Sequence, residues 1–133
     1  MRKTLLAFYL ICFAVVAGHA QLLSTDIAFP TDASTIVVTV DANKGNKGLL
    51  NHTASDVYVH TGVITNLSTG PTNWRYVKFN QNFNQPNVAL QATSLGANKW
   101  QFTIANIRAY YGVPAGETIL RVSILFRSGN GQL

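Results

Sequence analysis

The sequence predicts an all-β protein, a small antiparallel β-sandwich with very little helix. Two long segments, residues 56–63 and 119–127, carry this prediction because both are rich in β-branched and aromatic residues. In each segment the side chains alternate in character, as they do in a strand with one face toward a core. The residues that we expect on the apolar face of the later segment are Leu120, Val122, Ile124 and Phe126. Two such strands would form the centre of the sandwich.

Shorter elements are expected around these two strands. Residues 36–41 form a nearly continuous apolar run, which is typical of a deeply buried strand. Residues 88–95 and 100–104 are separated by a short polar turn and predict a β-hairpin. Residues 105–111 could form one helical turn, which Gly112 would end.

The segment from Trp74 to Phe79 predicts a further strand. Alternation with a period of two would place Trp74, Tyr76 and Lys78 on one face. The residues expected on the opposite face are Arg75, Val77 and Phe79. Val77 and Phe79 can pack into the core from the opposite face. The face that carries Trp74 and Tyr76 could therefore be exposed to solvent.

The first twenty residues predict a secretory signal peptide. A basic start at Arg2 and Lys3 precedes an apolar run over residues 5–16 and then small residues up to Ala20. The apolar run is too short for a permanent membrane anchor. Cys12 lies inside this run and is not preceded by the small residues of a lipoprotein signal. We therefore expect cleavage after Ala20 and a secreted or cell-surface protein.

Residues 21–133 would then be a single exported domain without cysteine, since Cys12 is the only one in the sequence. An exported fold without disulfides is typical of a bacterial product whose core holds by packing alone. The full chain has 10 basic and 5 acidic residues, and loss of Arg2 and Lys3 would leave 8 against 5, a net charge of +3. The basic residues are scattered, whereas nucleic-acid-binding proteins concentrate them on one face. No nucleic-acid partner is expected.

Candidates for catalysis and metal binding are scarce. A glycosidase needs two carboxylates roughly 5–10 Å apart, and the five acidic residues are spread along the chain. Asp56 and His60 would share a strand face about 13 Å apart, too far for a histidine–carboxylate dyad. His52 and His60 would be the only histidines left after cleavage, with no cysteine beside them, so no metal or other cofactor is expected. The sequence favours a non-catalytic protein in which His60 is a residue of the sheet.

Aromatic side chains are the stronger functional signal. Rings near loops and strand ends belong to Trp74, Tyr76, Trp100, Tyr110 and Tyr111. Such rings stack on the C–H faces of sugars, but they also fill small cores. We expect Trp100 in the core, while binding and burial both stay open for Trp74 and Tyr76. In the binding alternative, Lys78 and neighbouring amides would form hydrogen bonds with sugar hydroxyls.

Four segments together resemble a known family. They are residues 56–63, 74–78, 110–117 and 124–127, and the most specific part is the run Tyr-Gly-Val-Pro-Ala-Gly-Glu followed by the Phe-Arg strand. The sequence resembles an N-terminal immunoglobulin-like module that precedes the catalytic barrel in secreted bacterial alpha-amylase-family glycoside hydrolases. The same module is found in related surface starch-utilisation proteins. The likeness covers roughly residues 25–131.

The resemblance implies an immunoglobulin-like β-sandwich that binds α-glucan or positions an enzyme on this polysaccharide, with a catalytic domain downstream. In that family a closing strand follows the Phe-Arg strand, and it is not found here before Leu133. We therefore expect a sandwich that lacks its last strand and has an unpaired edge beside residues 119–127, which is prone to association. The alternative function is a structural spacer that packs against a catalytic domain without binding sugar.

Overall fold

The computed structural model describes residues 22–78 and 83–133. Within these ranges six strands form, and they are β1 (Leu23–Thr25), β2 (Ile36–Asp41), β3 (Val57–Thr65), β4 (Thr93–Gly96), β5 (Lys99–Ile104) and β6 (Ile119–Ser128). A 3-10 helix spans Val88–Leu90 and one short α-helix, α1, spans Ile107–Tyr111. No helix in the described ranges is long and apolar enough to cross a bilayer. The predicted signal peptide, residues 1–20, lies outside the described residues.

The strands form two antiparallel sheets. β1, β2, β5 and β4 pair in that order in one sheet, and β3 pairs with β6 in the other. Immunoglobulin domains carry strands A, B, E and D in one sheet and C, F and G in the other. In chain order the six strands correspond to A through F, so the predicted all-β antiparallel sandwich is confirmed. Among the described residues, β3 is the only partner strand of β6.

The core lies between the two sheets and is built from alternate residues of their strands. Ile36 and Val38 of β2 and Ile104 of β5 pack against Val59 and Val63 of β3. Alternate residues of β2 are buried and the others are half-buried. The strand predicted at residues 36–41 is therefore confirmed, with one face in the core.

Trp100 lies in a second cluster of buried residues. Its side chain is 2% exposed and packs with Val40, Val57 and Leu49. The indole Nε1 donates a hydrogen bond to the main-chain oxygen of Ala54 at 2.9 Å, so the polar atom of the ring is satisfied inside the protein. The expectation that Trp100 belongs to the core is confirmed.

The long strands β3 and β6 pair with a bulge near one end. Their register shifts between Ile64 and Thr65, which lie opposite Arg121 and Ile119. Leu120 is the extra residue of this bulge, and its side chain is 64% exposed. The prediction that Leu120 faces the core is wrong because the bulge interrupts the alternation of β6.

The predicted hairpin is present, but its first strand is shorter than expected. β4 begins at Thr93, because residues 88–90 form the 3-10 helix instead. The turn into β5 passes through Ala97 and Asn98, which have φ of 48° and 61°. Two successive left-handed residues give a turn whose twist matches that of antiparallel strands.

The connection from β5 to β6 is a compact corner. α1 is the predicted helical turn, and Gly112 ends it with a left-handed φ of 71°. Arg108 of α1 donates hydrogen bonds to three main-chain oxygens of the following loop, at 2.6 Å, 3.0 Å and 3.3 Å. The Tyr111 hydroxyl and Thr61 Oγ1 of β3 are 2.6 Å apart in a buried hydrogen bond. This bond fixes the corner to the second sheet.

We expect Trp100→Ala to lower the free energy of unfolding by about 3–5 kcal/mol. The substitution removes a large, fully buried side chain and leaves the Ala54 oxygen without its donor. The control is Val88→Ala, since Val88 is 82% exposed and surface changes stay within about 0.5 kcal/mol. Urea unfolding followed by circular dichroism measures both. Equal effects of the two substitutions would contradict the burial of Trp100.

Candidate functional site

Residues 74–78 do not form the predicted strand. Arg75 makes an isolated bridge with Val63, in which its N–H donates at 2.7 Å and its carbonyl oxygen accepts at 2.9 Å. Tyr76 then takes a left-handed φ of 52°, which ends the extended backbone. Phe79, the last residue of the predicted strand, lies outside the described residues. The strand prediction is wrong because this segment crosses the sheet instead of extending it.

The change of backbone direction separates the three predicted site residues. The Tyr76 hydroxyl donates a hydrogen bond to Glu117 near the β5–β6 corner. The Lys78 Nζ lies 4.8 Å from the centroid of the Tyr110 ring, a cation–π contact. Trp74 alone lies over the outer face of β3. The prediction that Trp74, Tyr76 and Lys78 share one strand face is therefore wrong.

Trp74, His60 and Phe83 form an aromatic cluster on the outer face of the β3–β6 sheet, which we call the aromatic platform. The rings of Trp74 and His60 are stacked, with centroids 5.5 Å apart and planes inclined by 26°. Phe83 meets the ring of His60 edge-on, also at 5.5 Å. The platform borders an open depression of about 500 Å³, whose other lining residues are Thr72, Asn73 and Leu125.

The sequence of β3 explains where the platform forms. The neighbours of His60 on the strand are buried, so His60 faces outward. Gly62 is the next outward residue, and residues 75–77 cross the sheet over it. A Cβ at Gly62 would lie 3.0 Å from the main-chain oxygen of Arg75, so any side chain there would require the crossing segment to move away by a few tenths of an ångström. The crossing brings Trp74 over His60.

A buried arginine lies beneath the platform. Arg127 of β6 is 3% exposed, and its guanidinium carbon is 5.1 Å from the Phe83 ring centroid and 5.8 Å from that of Tyr58. One Nη atom donates a hydrogen bond to the main-chain oxygen of Gln85 at 2.8 Å, which ties residues 83–85 to the sheet. Burial, and then the positive charge of Arg127, lowers the pKa of His60 below 6.5. Both effects favour the neutral form of the imidazole.

Tyr76 belongs to a carboxylate network at the corner that precedes β6. Glu117 is 5% exposed and accepts hydrogen bonds from the hydroxyls of Thr65 and Tyr76 and from Arg75 Nε, the last at 2.7 Å. These donors, that of Thr65 first, lower the pKa of Glu117 from 4.5 to about 2, although burial acts in the opposite direction. The network anchors Arg75 and Tyr76, two of the three residues that cross the sheet over Gly62.

A histidine–carboxylate pair does exist, but it joins His52 to Asp56 and not Asp56 to His60. His52 Nε2 lies 2.8 Å from Asp56 Oδ2 and 3.2 Å from the main-chain oxygen of Asp56. The segment between them is a turn, so side chains four positions apart come together. Within the part of the chain that the structure describes, His52 forms no hydrogen bond to a hydroxyl group. The pair closes the turn that leads into β3.

Sequence reasoning found Trp74 but did not place His60 and Phe83 beside it. A signal existed for His60, because the alternation of β3 puts it on the outer face. Phe83 lies in a sequence rich in Asn and Gln that has no apolar periodicity, so it is located only by its contacts with His60 and Arg127 in the structure.

The platform presents the faces of aromatic rings to a ligand. The amide of Asn73 and the hydroxyl of Thr72 lie at its rim. Within residues 22–78 and 83–133, no three His, Cys, Asp or Glu side chains come close enough to hold a metal ion. No protein-family model matches the sequence, and no curated protein is significantly similar to it. A proposal of function therefore has to rest on the platform itself and on the resemblance described above.

The carboxylate network predicts a defined pH dependence of stability. The pKa of Glu117 is about 2 in the folded state against 4.5 ordinarily, so its contribution is complete above about pH 4.5 and disappears as the pH falls toward 2. Glu117→Gln removes this contribution at every pH. We expect the difference in free energy of unfolding between wild type and variant to shrink across that window, as measured by urea unfolding from pH 7 to pH 2. A difference that stays constant with pH would show that Glu117 is not ionised in this network.

Proposed function

We propose that the protein is a secreted, non-catalytic module that binds α-glucan or positions an associated glycoside hydrolase on it. The observation that carries the proposal is the setting of Trp74. Its ring is half-buried, is supported on one side by His60, and borders an open depression on the outer face of a sheet. Trp100, by contrast, is only 2% exposed and fills the core, so of these two tryptophans Trp74 is the one that a ligand could reach.

The proposed mechanism is stacking of a glucose ring on the platform. A pyranose presents a flat face of C–H groups, which packs on the face of an indole ring. One face of Trp74 rests on His60 and the residue lines the open depression, from which the sugar would stack on the ring. Phe83, which is 42% exposed, supplies a second ring close by. The side chains of Asn73 and Thr72 can donate and accept hydrogen bonds with sugar hydroxyls.

This site keeps Trp74 from the sequence-based prediction and changes the roles of Tyr76 and Lys78. The Tyr76 hydroxyl is bonded to Glu117, and the Lys78 ammonium lies over the ring of Tyr110. We assign both residues to anchoring the segment that carries Trp74. The hydrogen-bonding groups for the sugar come instead from the rim of the depression.

The wider context of the proposal comes from the sequence. The segment 1–20 has the pattern of a cleaved signal peptide, and the resemblance to modules of alpha-amylase-family enzymes implies a polysaccharide ligand and a downstream catalytic domain. The alternative is a spacer whose outer face packs against that catalytic domain. Phe83 and Val88 favour it, because they expose 42% and 82% of their apolar side chains.

Affinity electrophoresis in gels containing soluble starch tests the proposal. The wild-type protein should be retarded, and Trp74→Ala should bind roughly three- to tenfold more weakly because it removes the stacking face. Val88→Ala is the matched control, an exposed apolar residue outside the platform lining, and should migrate like wild type. A wild-type protein that starch does not retard would favour the spacer. Equal retardation of wild type and Trp74→Ala would remove Trp74 from the site.

A further inference from the structure

The position of the Trp74 ring depends on the main chain that follows it. The N–H of Trp74 donates to the main-chain oxygen of Thr72, only two residues earlier, at 3.0 Å. Its ring is stacked on that of His60, and the indole N–H forms no hydrogen bond to any of the described residues. The chain continues directly into residues 75–77, which we call the crossing segment because they cross the sheet. What fixes this segment therefore also fixes the ring.

The main chain of the crossing segment contains an unfavourable backbone conformation. Arg75 bridges to Val63, and the N–H of Lys78 donates to the main-chain oxygen of Thr61 at 3.0 Å, so the chain is attached to β3 at two points. Between these attachments Tyr76 has a left-handed φ of 52°, which aromatic residues rarely adopt. A conformation of this kind persists only where the surrounding contacts hold it in place.

The carboxylate of Glu117 supplies the contacts that hold Tyr76. One of its oxygens accepts hydrogen bonds from Arg75 Nε, at 2.7 Å, and from the Thr65 hydroxyl, and the other accepts one from the Tyr76 hydroxyl. Among the described residues, Glu117 is also the only acidic residue that forms an ion pair with Arg75. Two successive residues of the crossing segment are thus bound to one buried carboxylate.

The main chain of Glu117 is itself held in the corner before β6. Its N–H donates to the main-chain oxygen of Pro114 at 3.0 Å, and its own oxygen accepts a hydrogen bond from Arg108 Nη1 at 3.0 Å. Arg108 is paired in turn with Asp32, whose carboxylate lies 2.8 Å from Nε. The corner is therefore a fixed support, and the carboxylate of Glu117 determines where the crossing segment lies relative to it.

We propose that Glu117 is a positioning residue for the aromatic platform. Its carboxylate holds Arg75 and Tyr76 so that the preceding residue, Trp74, stacks on His60. Glu117 does not touch a ligand itself, because both of its oxygens are bonded inside the protein and the residue is 5% exposed. For sugar binding the inference rests on the proposed function, in which a pyranose stacks on Trp74 and needs the ring in this position.

A purely stabilising role for Glu117 predicts a different outcome. Loss of the carboxylate would then lower the free energy of unfolding, while the molecules that stay folded would keep Trp74 on His60. The hydroxyl of Tyr111, which is bonded to β3 inside the core, has such a role. Tyr76→Phe and Tyr111→Phe each remove one bonded tyrosine hydroxyl and keep the ring, so the two variants are a matched pair.

The ring protons of His60 measure the stack directly by NMR. An indole ring stacked on an imidazole shifts the imidazole resonances, and the chain has only three histidines, so their signals can be assigned by substitution. Trp74→Ala gives the position of the unstacked signal. At neutral pH, Glu117→Gln and Tyr76→Phe should move the His60 signal at least halfway toward that position. Tyr111→Phe should leave it where it is in the wild type.

Circular dichroism verifies that the variants are folded, and Tyr76→Phe, the milder change, decides the test should Glu117→Gln not fold. An unchanged His60 signal in folded Tyr76→Phe would overturn the positioning role, even where starch retards the wild-type protein.

Retardation in starch gels separates this inference from the proposed function. Tyr111→Phe should be retarded like the wild type, whereas Tyr76→Phe and Glu117→Gln should bind roughly threefold more weakly, because the stacking face is displaced. Starch that retards none of these proteins, together with a His60 signal that moves as expected, would remove the proposed function and leave the positioning role of Glu117 in place.

Discussion

The register between β3 and β6 is the constraint on which the rest of the structure depends. It directs Val59 and Val63 into the core, His60 to the outer face, and the main chain of β6 toward an open edge. Because side chains alternate with a period of two, a slip of one residue would exchange the core face and the outer face of the strand. The buried valines make such a slip costly, since it would expose them and bury an imidazole. The core and the platform therefore depend on one register.

The fold was largely predictable because its long strands each have one buried face. Alternation located β3 and β6 and placed Trp100 in the core, and a nearly continuous apolar run located β2. It failed at Leu120, where a bulge depends on the opposite strand and leaves no trace in the local pattern. It also failed before β4, where the side chain of Asn87 accepts a hydrogen bond from the N–H of Ala89 and starts a 3-10 helix within an apolar run.

The candidate site was predictable only in part, because its geometry depends on contacts that are distant in sequence. Trp74 was identified as a surface candidate from its ring and its neighbours. The left-handed backbone at Tyr76 has no signature in the sequence, since tyrosine rarely adopts it without tertiary support. That support comes from Glu117, 41 positions later. A period-two pattern cannot contain this information, so the assumed strand face of Trp74, Tyr76 and Lys78 does not form.

The buried guanidinium of Arg127 places a positive charge close to the outer face of the β3–β6 sheet, although the residue itself is only 3% exposed. The hydrogen bonds of Arg127 end on main-chain oxygens of Ser128, Gly129 and Gln85, which are dipoles and carry no net charge. The carboxylate of Asp56 offsets part of this charge through space. If the platform binds a polysaccharide as proposed, the remaining charge would attract an anionic chain more than a neutral one, and added electrolyte would weaken that attraction.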